Sequence, residues 1–208
     1  MILSGERVDY DGEIFKLKNF RLQFTPVRKN IPIYIASLGP KSVRLTGELA
    51  DGWIPFLVPL EFLRDARKEL ESGAKAKGRD LDQIMVCPYI PACISKDNDF
   101  PKRVLQEFIA YYVGGMGTFY YKMISRLGFQ NEADLIVKAW KRGSKSQAIQ
   151  GVSDTMLNSI AIVGTRDEGK KKLKEYTEAG ADFPILIFPP KSSRDMVKET
   201  IRELAPGS

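Results

Sequence analysis

Histidine is absent from the 208 residues. That excludes Ser–His and Cys–His nucleophilic pairs and removes the commonest protein ligand for zinc. Cysteine is nearly absent. Cys87 and Cys93 flank an apolar run at a spacing that fits no common zinc or redox motif, so two buried free thiols and no metal are expected. No run of about 18 apolar residues occurs, so no membrane span is expected. The start, Met1 to Glu6, has no basic region followed by an apolar stretch. It does not read as a signal peptide, and a cytoplasmic location is expected. Any chemistry must come from a bound cofactor, from carboxylates or lysines, or from another chain.

What is present suits a globular protein. The chain is 43% hydrophobic and 28% charged, with a net charge of +6. Its length allows one domain with a real core. The densest basic cluster, Lys170-Lys171-Lys172, lies inside a helical pattern and reads as a solvated helix face. No nucleic-acid motif accompanies it, so no nucleic-acid partner is expected. A mild positive balance also suits an enzyme that handles anionic cofactors.

The most informative stretch is Ile33 to Trp53. It reads as a buried strand, a small-residue turn, a short helix and the start of another strand. Gly39 suits the turn, and Pro40 suits the first helical position, where its missing N–H costs nothing. The next amides, of Lys41 and Ser42, lack helical partners and face outward at the positive end of the helix dipole. A phosphate fits such a place. Strand, Gly-Pro turn and helix also occur in αβ units with no ligand, so geometry leaves both readings open.

The rest alternates in the same way. Val8 to Thr25 reads as a two-stranded ribbon, with a turn at Tyr10-Asp11-Gly12-Glu13 and alternating runs over Ile14–Leu17 and Phe20–Phe24. Gly52–Phe56 reads as a second strand, and Leu60–Lys77 as a helix with an apolar stripe through Leu63, Ala66, Leu70, Gly73 and Ala74. Gln83–Ile94 is a third strand whose Pro88 and Pro91 argue for a bend or an irregular edge. Residues 100–150 are mostly helical, interrupted by Gly114-Gly115-Met116-Gly117, a candidate mobile loop. The aromatics Tyr111, Tyr112, Phe119, Tyr120 and Tyr121 either line a pocket or pack helices. Ser159–Gly164 is a short apolar segment. Thr165-Arg166-Asp167-Glu168 is a capping box that starts a helix ending at Gly180. Phe183–Phe188 is a fourth buried strand, and Ser192–Leu204 a closing helix. This order is α/β with parallel strands.

Ala36-Ser37-Leu38-Gly39-Pro40-Lys41, followed by Leu45-Thr46-Gly47-Glu48-Leu49-Ala50-Asp51-Gly52-Trp53, resembles a segment of the bacterial luciferase-like flavin and F420-dependent oxidoreductases. The resemblance is especially close to the methylenetetrahydromethanopterin reductase branch. The ribbon, the Gly164–Glu168 box, the Ala179-Gly180-Ala181-Asp182 turn and the last apolar strand match the family in order. The family fold is a TIM barrel of eight strands and about 250 residues. Four core strands are counted here, so the resemblance implies the C-terminal half of a (β/α)8 barrel. It forms a single luciferase-like domain over 1–208, with the ribbon in 1–30 and βα units in 31–208.

The resemblance implies that F420, or alternatively FMN, is the cofactor and that a small molecule is the substrate. The backbone amides of Ala36, Ser37, Leu38 and Gly39 would hold the cofactor phosphate, with Pro40 and Lys41 starting the helix behind it. For Ala36 and Ser37, close helix–sheet packing is the structural alternative. Glu48 and Asp51 are expected to cap or turn the chain. Trp53, Pro55 and Phe56 are expected near the substrate mouth. No catalytic residue is nominated, because the family's usual acids and bases lie on strands outside this set. Half a barrel exposes two strand edges, so they are expected to be covered: by a complementary N-terminal half-barrel chain, by a second copy, or by the first half of a longer gene product in which Met1 is internal. The competing reading is a non-catalytic, truncated flavoprotein relative that serves as a binding or assembly subunit.

Overall fold

A computed structural model describes residues 2–95 and 99–207. The chain divides into two units, Met1–Ile33 and Tyr34–Ser208. The first holds the antiparallel ribbon β1 (Val8–Asp11) and β2 (Lys16–Phe20). Its second strand stops at Phe20, short of the alternating run to Phe24. Asn19 takes a left-handed φ of 53°, and its amide donates to the Asp9 carboxylate at 2.6 Å, so the alternation past Phe20 is not used for pairing.

The second unit opens with β3 (Tyr34–Ile35), α1 (Pro40–Leu49), β4 (Gly52–Trp53) and α2 (Leu60–Ala76). The predicted stripe on α2 is buried in full, with Leu60 added at its start. Gly47 of α1 and Gly73 of α2 let the two helices meet backbone to backbone. A Cβ on Gly47 would collide with the Leu70 carbonyl, and one on Gly73 with the Arg44 carbonyl. The third strand of the sequence reading is two: β5 (Met85–Val86) and β6 (Tyr89–Ile94), parted at Cys87–Pro88.

Helices follow: α3 (Asp99–Gly115), α4 (Thr118–Ile124), a π-helical turn over Ser125–Phe129, α5 (Gln130–Lys141), α6 (Lys145–Gln150) and α7 (Asp154–Ile160). Then come β7 (Ile162–Gly164), α8 (Arg166–Glu178), β8 (Ile185–Ile187) and α9 (Arg194–Leu204). The break after α3 is where the Gly-rich run placed it, with Gly117 at φ 76°. Helix α7, with Ser153 as its cap, is an addition to the sequence reading.

The parallel strands form two three-stranded ladders, β3-β4-β5 and β7-β6-β8. The count differs from four because the third strand breaks at Pro88 and because Ile162–Gly164 pairs with Ala92–Ile94. The two ladders are joined across the break. Cys87 and Tyr89 amides donate to the carbonyls of Trp53 and Pro55 at 2.8 Å, and Ile185 donates to Pro88 O at 2.9 Å.

Both prolines sit where their missing donor is tolerated, although the strand is central and not an edge. Beside Pro88, the Val86 amide takes the Asp182 carboxylate, at 2.8 Å, before β8 begins. Pro91 falls between the Phe56–Tyr89 bridge, to the segment that follows β4, and the first contact with β7, at Ala92.

Two buried clusters share the interior of this unit. One, around Trp53, Leu63, Leu70, Val86, Ile90 and Tyr176, lies between sheet and α1, α2 and α8. The other, around Leu105, Ile109, Ile124, Ile136 and Leu157, fills the helices between β6 and β7. Cys87 and Cys93 are free and buried, and burial pushes the Cys93 thiol up to about 11.

One sheet face stays open. Tyr34 and Met85 are in register across Gly52, whose missing side chain leaves room for the Tyr34 ring, and the Tyr34 hydroxyl reaches Met85 Sδ at 3.4 Å. Tyr34 is 38% exposed, Met85 44% and Tyr89 37%. β3 and β8, predicted to be buried, are respectively exposed-to-half-buried and half-buried. Among the described residues each pairs with one neighbour alone.

The glycine contact between α1 and α2 is testable. Gly73→Ala is expected to lower unfolding free energy by about 1–3 kcal/mol, the range for overpacking a close contact, in urea denaturation followed by circular dichroism.

Candidate functional site

The Ile33–Trp53 stretch folds as read: strand, turn, helix with Pro40 in its first turn, strand. Gly39 is the N-cap, with extended backbone at φ −81° and ψ 146°. It supplies no side-chain oxygen, so no side chain caps the helix. Nor does any acidic residue occupy its first turn. A Cβ on Gly39 would meet only Ser42 Oγ, at 3.4 Å, so the space in front of the turn is nearly clear.

The six predicted site residues divide by burial. Ala36, Pro40 and Lys41 are exposed, Leu38 and Gly39 are half-buried, and Ser37 is buried. The Ser37 hydroxyl faces the core and lies 2.8 Å from Thr46 Oγ1. Thr46 spends its own proton on the Ser42 carbonyl at 2.8 Å, so Ser37 is the donor of the pair. The Ser37 carbonyl accepts from Trp53 Nε1, also at 2.8 Å. Side chain and carbonyl of Ser37 are therefore structural, and only its amide can serve a ligand. Lys41 makes no ion pair among the described residues and leaves a free cation at the helix start.

Other expected pocket residues move. Trp53 is fully buried and ties β4 to the turn, so it belongs to the core and not to a substrate mouth. Its side chain is large and apolar, and a strand two residues long leaves it under α1 and α2. Pro55 is buried as well. Phe56 does reach an aromatic group: its ring lies 5.0 Å from that of Tyr112 and 5.9 Å from that of Tyr120. Glu48 faces Arg44 at 3.9 Å on α1, as a structural carboxylate would.

The predicted aromatics of α3 and α4 assemble with one another and with Phe56 and Trp140, which the sequence reading did not join to them. Tyr112 stacks against Phe108 at 4.8 Å and Tyr120 at 4.9 Å, and Tyr111 meets Trp140 of α5 at 5.9 Å. Burial, reinforced by Tyr112, raises the Tyr120 phenol above its ordinary range. Tyr121 instead donates its hydroxyl to Asp134 at 2.8 Å. Phe56 follows β4, and Leu38, which follows β3, packs on the same helical core. The C-terminal ends of β3 and β4 thus both point toward the helices that carry this group. Phe108 is legible from helical spacing, since it lies four residues before Tyr112 on the same stripe of α3. Trp140 is not, because the chain from Tyr112 to Ala139 must fold back to bring it there.

At α8 the capping box closes as predicted. The Thr165 amide donates to Glu168 Oε2 at 2.7 Å, and the Glu168 amide to Thr165 Oγ1 at 3.4 Å. The Thr165 donors hold the Glu168 carboxyl below its usual range. This helix end is filled by its own side chains, in contrast to that of α1. No cluster of three metal-ligating side chains occurs among the described residues. No helix among them is long and apolar enough to cross a membrane.

The profile of the luciferase-like monooxygenase family matches residues 1–182. The chain is 28% identical over 213 aligned positions to 5,10-methylenetetrahydromethanopterin reductase of Archaeoglobus fulgidus, covering 98% of this chain and 63% of that protein. It is 30% identical to the enzyme of the same name from Methanolobus tindarius, covering 86% of this chain and 54% of that one. Against a putative coenzyme F420-dependent oxidoreductase of Mycobacterium tuberculosis it is 27% identical, over 77% of this chain and 48% of the relative. The chain thus spans about half to two thirds of the length of these relatives.

Among solved structures, the coenzyme F420-dependent tetrahydromethanopterin reductase of Methanopyrus kandleri superposes with a TM-score of 0.80 at 25% identity, over 96% of this chain and 57% of that one. An F420-dependent secondary alcohol dehydrogenase superposes at 0.69 with 19% identity, a likeness of fold, over 98% of this chain and 58% of that one. The fold is α/β of the TIM-barrel type.

The buried hydroxyl pair behind the turn gives a stability test. Thr46→Val leaves the Ser37 hydroxyl without its acceptor and is expected to cost about 1–3 kcal/mol, whereas Ser37→Ala, which leaves Thr46 bonded to Ser42, costs about 0.5–1.5 kcal/mol. Chemical denaturation of the two variants reads the order.

Proposed function

The chain belongs to the luciferase-like monooxygenase family, and from that premise we propose that it is a component of an oxidoreductase moving a hydride between coenzyme F420 and a small-molecule substrate, with FMN as the alternative cofactor. One observation carries the reading. The N-terminus of α1, at the C-terminal end of β3, has no side-chain cap in a chain similar over most of its length to proteins named for F420. An uncapped helix start of this kind suits a phosphate.

In this proposal the amides of Ala36, Ser37, Leu38 and Gly39 hold the cofactor phosphate. Pro40 starts the helix without giving up a useful donor, and the Lys41 ammonium adds positive charge. Gly39 fits because it brings neither a capping oxygen nor a bulky side chain to the turn. When bound, a deazaflavin or flavin ring supplies the atom that gives or takes the hydride. The chain's part is to hold that group at the strand ends, where Phe56 and the aromatic helices exclude water from one side.

We read residues 1–208 as the C-terminal half of the barrel, in one luciferase-like domain with the ribbon in 1–30 and the βα units in 31–208. Two observations support this. Tyr34, Met85 and Tyr89 leave the inner sheet face partly bare, and β3 and β8 each have one neighbour among the described residues. Complementary strands, from an N-terminal half-barrel or from a second copy, cover that face and bring the proton-transferring residues. The same open face favours the second reading, an assembly subunit without catalysis of its own.

Titration of the purified chain with F420 and with FMN, alone and with a complementary half-barrel, tests the proposal. Saturable F420 binding is expected, weakened about tenfold by Lys41→Glu, a loss of about 1.4 kcal/mol. Failure of both cofactors to bind in either mixture would sink the reading. Binding without hydride transfer, even with the complementary half present, would favour the assembly subunit.

A further inference from the structure

A cavity of about 360 Å³ lies between α3, α5, α6 and the segment after β8, and none of Ala36 to Lys41 lines it. Its size is at the lower end of small-molecule sites, which run from about 300 to 1,000 Å³. It has room for a one- or two-ring compound and not for an extended cofactor. Four aromatic rings line it: Phe108, Tyr111 and Tyr112 from α3 and Trp140 from α5. The rings are fixed against one another, with Tyr111 and Trp140 at 5.9 Å and 64°.

Trp140 is seated by the sequence of α3. A Cβ on Gly114 would stand 2.9 Å from Trp140, and one on Gly115 2.8 Å. Two adjacent glycines near a helix end thus make the recess for the indole, although each costs helix stability. Tyr111, in contrast, remains 47% exposed, an aromatic face turned to the opening. Part of the cavity wall is therefore built and part is left uncovered.

Charge gives the site a sign. Lys191, after β8, pairs with Glu107 of α3 at 2.5 Å and closes one side. Lys145, at the start of α6, also lines the cavity, is exposed, and makes no ion pair among the described residues. Two lysines therefore face one carboxylate.

We propose that this cavity binds a small planar aromatic carboxylate, its ring against Tyr111 and Trp140 and its carboxylate at Lys145. The aromatic walls select a flat π-face, and the uncompensated lysine selects an anion over its neutral isostere. The assignment does not depend on the F420 reading.

Isothermal titration of the full chain with 2-naphthoate and with the uncharged 2-naphthalenemethanol tests it. Saturable naphthoate binding is expected, about fivefold tighter than the alcohol, the factor one exposed charge provides. Lys145→Gln, a surface change, brings the two ligands to within about twofold, and Lys145→Arg restores the preference. Tyr111→Ser weakens both. Saturating F420 leaves naphthoate affinity unchanged. Absence of saturable naphthoate binding would overturn the proposal, as would an equal affinity for the alcohol or a preference that survives Lys145→Gln. Displacement of naphthoate by F420 would overturn the claim of a site separate from the phosphate turn.

Discussion

Both three-stranded parallel sheets described in the second unit include part of the backbone of Met85–Ile94. One side bonds first to β4 and then to β7, and the other to the turn before β8 and to β8 itself. A strand with this duty is ordinarily hostile to proline, yet it carries Pro88 and Pro91. Both are accommodated because each falls where the neighbouring strand is changing. At Pro88 the carboxylate of Asp182 replaces a backbone acceptor for Val86, and at Pro91 one neighbour has ended and the next has not begun.

This spine places the candidate site. β3 and β4 run parallel to it, so their C-terminal ends lie on one side, toward the helices between β6 and β7. The turn after β3 is held from behind by three bonds: Ser37 to Thr46, Thr46 to Ser42 and Trp53 to the Ser37 carbonyl. Those bonds rigidify the turn, and none of the three uses a backbone amide of Ala36–Gly39. In the proposed function the Ser37 amide serves the anion while its hydroxyl and carbonyl serve packing, so the two uses do not compete at that residue. The packing reading and the ligand reading apply to different atoms of one residue.

Much of this was legible along the chain. The Gly39-Pro40 helix start, the buried stripe of α2, the Thr165–Glu168 box and the break after Gly115 depend on neighbours within a few residues, and local chemistry decides them. The family resemblance, carried by Ala36–Lys41 and Leu45–Trp53, agrees with the family match over residues 1–182. Legibility failed where distant chain supplies the partner. Ile162–Gly164 is a strand because Ala92–Ile94 lies beside it, and Trp53 is core because α1 and α2 cover it.

The sequence by itself therefore determined the α/β alternation, the lack of histidine chemistry and the uncapped helix after β3. Each follows from residue type and short-range spacing. Only the tertiary structure decided that the proline-bearing strand is central, that β3 and β8 lie half open, and that Trp140 meets Tyr111 over Gly114 and Gly115. The physical reason is the same in each case. A side chain's burial and a strand's pairing are properties of what lies across from it, and that partner is set by the fold of the chain between them.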